Sequence, residues 1–253
     1  MIRYPRLFAF ALLLILLLAW EWAVSAFKFS PLVLPAPSVI GAALVRGLQT
    51  GYLWPHIAQT LLELGLGLAL GVALGFAGGV LLGESAALRR VLMPYVVTSQ
   101  VIPKLALVPL FIVWFGFGTV PTVVITALIC FFPLLENTLT GIGQVDAARL
   151  ELFRMLGATR GQTLWRLKVP AGLPAILAGL RVAVVLALVG AVVGEFVGAS
   201  KGLGALIIAA QGSMDTPLMF AVLLLITLIG LLLYETTLWL ERRLLQSYSS
   251  TFN

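Results

Sequence analysis

Six apolar runs, each about as long as a helix needs to cross a bilayer, constrain this chain more than any other feature. They are Leu7–Phe27, Thr60–Gly83, Val91–Trp114, Val120–Leu139, Pro174–Val197 and Pro217–Leu240. A crossing takes roughly 20 mostly apolar residues. Within hydrocarbon every backbone N–H and C=O must find its partner inside the protein, which leaves helices or closed barrels. The runs are continuously apolar rather than alternating, so six helices are expected and the fold class is an all-α integral membrane protein. Only 10% of the 253 residues are charged, against about 25% in an ordinary soluble domain, so a soluble globule is excluded. The net charge of +6 is no nucleic-acid signal, because the charges lie between apolar runs rather than on one polar face. One cysteine, Cys130, and one histidine, His56, exclude a disulfide framework and a multi-histidine metal site; each reads as a packing or interface residue.

Direction follows from the basic residues between spans, which favour the cytoplasmic side. One side carries eleven: Arg3, Arg6, Arg89, Arg90, Arg149, Arg154, Arg160, Arg166, Lys168, Arg242 and Arg243. The other carries three, Lys28, Arg46 and Lys201, while Lys104 and Arg181 fall inside spans. Both termini and the segment 141–170 are therefore expected in the cytoplasm. The organisation reads as a first span with an extracytoplasmic segment (1–55), a main membrane domain (56–241) and a cytoplasmic tail (242–253). The first run admits a second reading as a cleaved leader, with Arg3 and Arg6 before it and small residues at Val24-Ser25-Ala26. Its length and the interfacial Trp20 and Trp22 favour a retained span. Between the first two spans, Pro31, Pro35 and Pro37 break the chain, and Ser38 is expected to cap a short helix through Leu48.

Gly67, Gly71, Gly75 and Gly79 recur every four residues and form one smooth stripe on the second span. Such a stripe lets another backbone approach closely, either within the subunit or at a subunit or gate interface. Pro94, Pro103 and Pro109 in the third span and Pro121 and Pro133 in the fourth are expected to kink those helices. Consecutive kinked spans suggest a pathway. Within it, Lys104 either faces a cavity, where it attracts an anion, or pairs with Glu63 or Glu136. Arg181 is expected to snorkel. Glu195, an acid at the outer end of the fifth span, is a functional candidate by default, with pairing as the alternative.

The 141–170 segment is the longest polar connection. Asp146 is placed to cap a helix through Leu156, and Gly157 suits a left-handed stop. Thr159 with Gln162 forms a capping box for a second helix, which Val169-Pro170 is expected to end. Leu150, Phe153, Met155, Leu156, Leu164 and Trp165 among five basic residues make an amphipathic knob, suited either to anionic lipid or to a cytoplasmic partner.

The residues Glu151-Leu152-Phe153-Arg154-Met155-Leu156-Gly157, followed after nine residues by Leu167-Lys168-Val169-Pro170, resemble the EAA loop of binding-protein-dependent ABC importer permeases of type I. Glu151, Gly157 and Pro170 match in register, Leu167 is a conservative replacement, and Leu152 and Phe153 stand where the pattern has two alanines. Leu34-Pro35-Ala36-Pro37-Ser38, Pro103-Lys104 through Pro109 to Trp114-Phe115-Gly116, Asn137-Thr138 with Gly141, Gly194-Glu195-Phe196 and Lys201-Gly202-Leu203-Gly204 are similar to the nitrate/sulfonate/taurine branch. Glu63 departs from that branch, which often carries a basic residue there.

The resemblance implies a multi-pass inner-membrane permease, not an enzyme, whose coupling helices between spans four and five seat on separate ATPase subunits. It also implies an extracytoplasmic solute-binding protein and a second permease chain, a homodimer being expected. The cargo implied is a small anion or organic solute of the sulfonate, nitrate or taurine type, or a pyrimidine-like vitamin precursor. No cofactor is expected on this chain: it lacks a Gly-x-x-x-x-Gly-Lys-Ser/Thr phosphate loop, so ATP belongs to the partner. The residues singled out are Glu151, Gly157, Leu167 and Pro170 for coupling, and Lys104, Pro103, Pro109 and Glu195 for the pathway or gate. The alternative is an ion-coupled secondary transporter that uses Glu195 and Lys104.

Overall fold

The computed structural model describes residues 5–249, and no strand occurs among them. Arg3, the side chain of Arg6 and residues 250–253 of the expected tail lie outside the described residues. The helices are α1 (Pro5–Ala26), α2 (Pro37–Gln49), α3 (Trp54–Glu84), α4 (Ala86–Val101), α5 (Val108–Phe115), α6 (Thr119–Gly143), α7 (Ala147–Met155), α8 (Arg160–Thr163), α9 (Val169–Gly198), α10 (Leu203–Gly212) and α11 (Thr216–Ser249). Among the described residues four helices are long and apolar enough to cross a membrane, α3, α6, α8 running into α9, and α11; a fifth candidate is the bent pair of α4 with the segment Lys104–Phe115.

The centre of the fold is α6, held between α3 on one side and α9 on the other. All four stripe glycines are buried, and all four face α6. A methyl group on Gly75 would stand 2.5 Å from the Phe131 carbonyl oxygen. On Gly71 and Gly79 it would stand 2.7 Å from the carbonyl oxygens of Ala127 and Leu135. The stripe is thus used within the chain rather than at an interface between subunits. The opposite face of α6 meets a second set of small residues that the stripe does not announce: Gly172 against Gly141, Gly179 against the Pro133 carbonyl, and Gly190 against Thr126. Without a hydrophobic force between helices in lipid, close van der Waals contact of this kind holds them together.

The third apolar run is broken, not merely kinked. Pro103 cannot donate a backbone hydrogen bond and disfavours helix at the residue before it, and Ile102 is extended with ψ 123°. After a short 3-10 turn over Lys104–Leu107, α5 starts with Pro109 in its first turn, where a missing N–H costs nothing. One proline ends a helix and the other begins the next, and the two pieces meet at 82°. Lys104 stands at the corner.

The first helix runs 22 residues, and Glu21 near its C-terminal end reaches α2. Its Oε1 accepts the Ser38 hydroxyl at 2.7 Å and its Oε2 accepts the Ser38 N–H at 3.0 Å. The expected cap on α2 is corrected accordingly. The helix begins at Pro37, so Ser38 lies inside its first turn, and Glu21 supplies the acceptor from a different helix. The last helix continues past the expected end at Leu240 to Ser249.

Replacing Gly75 with valine should separate α3 from α6 and cost about 1–3 kcal/mol, the usual range for overpacking. The control is Gly65→Val, since nothing lies within 4 Å of a Cβ there. Thermal melts in detergent should show a lowered midpoint for the first variant and little change for the second.

Candidate coupling surface and outer polar cluster

The connection 141–170 folds as its caps dictate. Asp146 Oδ1 accepts the Ala148 N–H at 3.2 Å and starts α7. Gly157 ends the turn with φ +69°, a left-handed conformation that a side chain resists. Its N–H bonds the Arg154 carbonyl at 3.0 Å, and the Ala158 N–H bonds the Phe153 carbonyl at 3.0 Å. Thr159 and Gln162 then cap α8 reciprocally: the Gln162 N–H donates to Thr159 Oγ1 at 3.2 Å and Gln162 Oε1 accepts the Thr159 N–H at 2.8 Å.

Here one expectation is corrected. Pro170 does not end the second helix; Arg160–Gly198 forms one helical run of 39 residues. A π turn at Leu164–Lys168 widens the backbone just before Pro170, and such a bulge absorbs a residue that lacks an N–H. The loop therefore leads straight into α9.

None of α7 is buried. Met155 is 80% exposed and Leu156 72% exposed, and Trp165 is exposed beyond them, its ring against Phe76 at 6.2 Å between centroids. Phe153, Leu156, Ala158, Gln162 and Arg166 line a shallow groove of about 300 Å³. Apolar side chains presented together on a polar segment mark a surface that is covered by something else. Glu151 is exposed and its bond to Arg154 is long, 3.4 Å. An exposed pair of this kind contributes little, so both charges remain available to a partner. Leu167 faces inward and is buried. The end of the loop is tied to α3 by Lys168, whose Nζ lies 2.6 Å from Glu84, a partner that the sequence reading did not single out.

At the far end of α9 from that segment, Glu195 is fully buried. Its Oε1 accepts the Thr60 hydroxyl at 2.7 Å and its Oε2 accepts the Gly204 N–H at 2.6 Å. The Thr60 oxygen in turn accepts the Leu203 N–H at 2.8 Å. Glu195 and Thr60 together hold the start of α10 against α3 and α9, and an anion suits the N-terminal end of a helix. His56 joins the same place through Nδ1, 2.9 Å from the Gly202 carbonyl and 3.2 Å from the Gly202 nitrogen. Around it Leu53, Ile57, Leu203, Leu206, Ile207, Val222 and Leu225 form an apolar cluster.

Glu63, Gln59 and Thr60 are the residues that sequence reasoning missed as a cluster. Their spacing on one helix brings them near one another, but only the fold brings Glu195 to them. Lys104 is partly exposed and makes no ion pair among the described residues, so neither Glu63 nor Glu136 neutralises it. Pro103 and Pro109 are exposed beside it. Arg181 reaches Glu241 of α11 at 3.3 Å rather than snorkelling alone, and Cys130 is fully buried against Gly71.

Residues 67–246 match the family described as the inner membrane component of binding-protein-dependent transport systems. The chain belongs to this family. It is 37% identical to the riboflavin transport system permease RibX of Chloroflexus aurantiacus, over 96% of this chain and 91% of that one. It is 32% identical to the taurine transport system permease TauC of Escherichia coli K12, over 92% and 86%. In fold it is similar to a chain of the inward-facing MetNI methionine ABC transporter, with a TM-score of 0.65 and 22% identity, covering 79% of this chain and 95% of that one. The permease is thus an inner-membrane subunit of an ABC importer.

In this permease the turn at Gly157 is a sensitive point. A valine there meets no neighbour within 4 Å, so its effect comes from the φ alone, about 1–3 kcal/mol of local strain. Gly157→Val should leave the protein folded in the membrane, with a melting midpoint lowered by no more than several degrees, while the copurifying ATPase falls away. Retention of the ATPase at native stoichiometry would show that the turn geometry is not needed.

Proposed function

We propose that two copies of this permease, each with six spans and both termini in the cytoplasm, form the pathway of an ATP-driven importer. Two separate ATPase subunits seat on the 141–170 loops, and an extracytoplasmic binding protein delivers the solute. The observation that carries this reading is the exposed apolar surface at and beyond the end of α7, with Met155, Leu156 and Trp165 uncovered on a loop that is otherwise polar and basic. Glu151 and Gly157 set the shape of that surface, while Leu167 and Pro170 join it to α9. Closure of the ATPases upon ATP moves the loops, and the work done depends on contacts that differ between the two states.

The break at Ile102-Pro103 supports a pathway along α4 and α5. Val101, Val113, Trp114 and Phe117 stand exposed there, a face suited to the second copy. From Ala86 to Phe115 the segment holds Arg89, Arg90 and Lys104 and no acidic residue. A cationic lining draws anions or hydrogen-bonds polar cargo, which fits a small anion or organic solute; the riboflavin and taurine systems of the relatives bracket that range. An ion-coupled mechanism would need Glu195 and Lys104 to act together, but Glu195 is spent on Thr60 and Gly204.

Purification from native membranes in mild detergent tests the assembly. An ATPase should copurify with the native chain and be lost from Leu156→Asp and Glu151→Lys, both at exposed positions. A chain that purifies alone in several detergents would overturn the reading. For the pathway, Lys104→Met should lower uptake efficiency about tenfold or more, the loss expected for one charge-assisted hydrogen bond. Unchanged uptake kinetics would remove Lys104 from the path.

A further inference from the structure

Glu63 and Glu195 are both fully buried, on α3 and α9, and Thr60, three residues before Glu63 on α3, hydrogen-bonds Glu195 at 2.7 Å, so the two carboxyl groups are neighbours. Their four oxygens are unequally served. Both Glu195 oxygens accept hydrogen bonds, one from the Thr60 hydroxyl and one from the Gly204 N–H. Glu63 Oε1 accepts from Gln59 Nε2 at 2.6 Å, and the same amide reaches Thr119 Oγ1 at 2.7 Å. Glu63 Oε2 is buried and receives no donor. From α6 the fully buried hydroxyl of Thr122, also without a partner, lies against Glu63.

Two ionised carboxylates here would be close neighbours in a region with no compensating cation. His56 is engaged on the Gly202 backbone, Lys201 is exposed in the loop, and neither forms an ion pair with either acid among the described residues. Burying an unpaired ion costs several kcal/mol, and two like charges side by side disfavour double ionisation. A proton on the unserved oxygen removes both penalties and turns an orphan acceptor into a donor. The choice of which acid is neutral follows from the donors. Glu195 already accepts two hydrogen bonds and sits at the start of α10, the arrangement that stabilises a carboxylate.

We propose that Glu63 is the neutral acid of a proton-sharing pair, its Oε2 hydroxyl donating to the Glu195 carboxylate and so tying α3 to α9 and α10 at the outer side. The proton is bound, not transferred to cargo. The pair is built by the packing of one chain and is the same whichever substrate the importer carries.

The full chain in lipid nanodiscs at neutral pH provides the test, by infrared spectroscopy of the protonated-carboxyl C=O stretch. The native protein should show a band that Glu63→Gln removes. Glutamine keeps a neutral donor in place, so the melting midpoint of Glu63→Gln should stay within about 2 °C of native, whereas Glu195→Ala, which strands the Gly204 N–H and the Thr60 hydroxyl, should fall by about 5 °C or more. Absence of a band that depends on Glu63 would overturn the proposal, whether or not Glu195→Ala folds. So would loss of the band only in Glu195→Gln, which would place the proton on the other acid. A midpoint that rises with sodium and no such band would mean that a monovalent cation occupies the site.

Discussion

Close backbone approach to α6 is the constraint on which the rest of this permease depends. Helices in lipid gain little from hiding apolar side chains, because the surrounding tails are equally apolar. What remains is contact, and contact improves as side chains shrink. Here α3 offers Gly67, Gly71, Gly75 and Gly79 to one face of α6, while α9 offers Gly172, Gly179, Gly190 and Gly194 to the other. With α6 clamped from both sides, the bulky Leu and Val residues of α3 and α11 point outward, and many are exposed. On a membrane chain that exposure is solvation by lipid rather than a defect.

The prolines arrange the same material around that clamp. Pro103 and Pro109 break the third run into two pieces and leave Lys104 at the bend. Pro133 sits inside α6, where the Asn137 amide donates to its carbonyl at 2.8 Å, and that carbonyl also faces Gly179. The helix runs on through Pro133 in the clamp between α3 and α9, where neighbouring helices make a proline tolerable. Each proline is thus handled by a local device, and the devices differ.

Much of this was legible from residue order alone. The helices over 60–83, 120–139 and 174–197, the Asp146 cap, the Gly157 stop and the Thr159–Gln162 box all rest on interactions within a few residues, and the structure shows helices, cap and box at those places. What escaped was long-range or compensated. Glu195 was visible as a misplaced acid, but its partner Thr60 lies 135 residues away, and no periodicity reports such a distance. Ser38 looked like a cap because of its type and place, yet Glu21 from another helix took that duty. Pro170 looked like a terminator because a proline inside a helix normally removes a bond. The π turn before it changes the register, and the helix runs on through the proline.

That uninterrupted passage has a mechanical meaning. From Arg160 in the 141–170 segment to Glu195 beside α10 there is no loop to take up slack. At 1.5 Å per residue the distance is about 50 Å, more than the hydrocarbon thickness of a bilayer. A rod of that length converts a tilt of a few degrees at one end into a displacement of several ångströms at the other. The two ends of this protein are therefore geared together by one helix, and the carboxylate that fastens α10 rides on its tip.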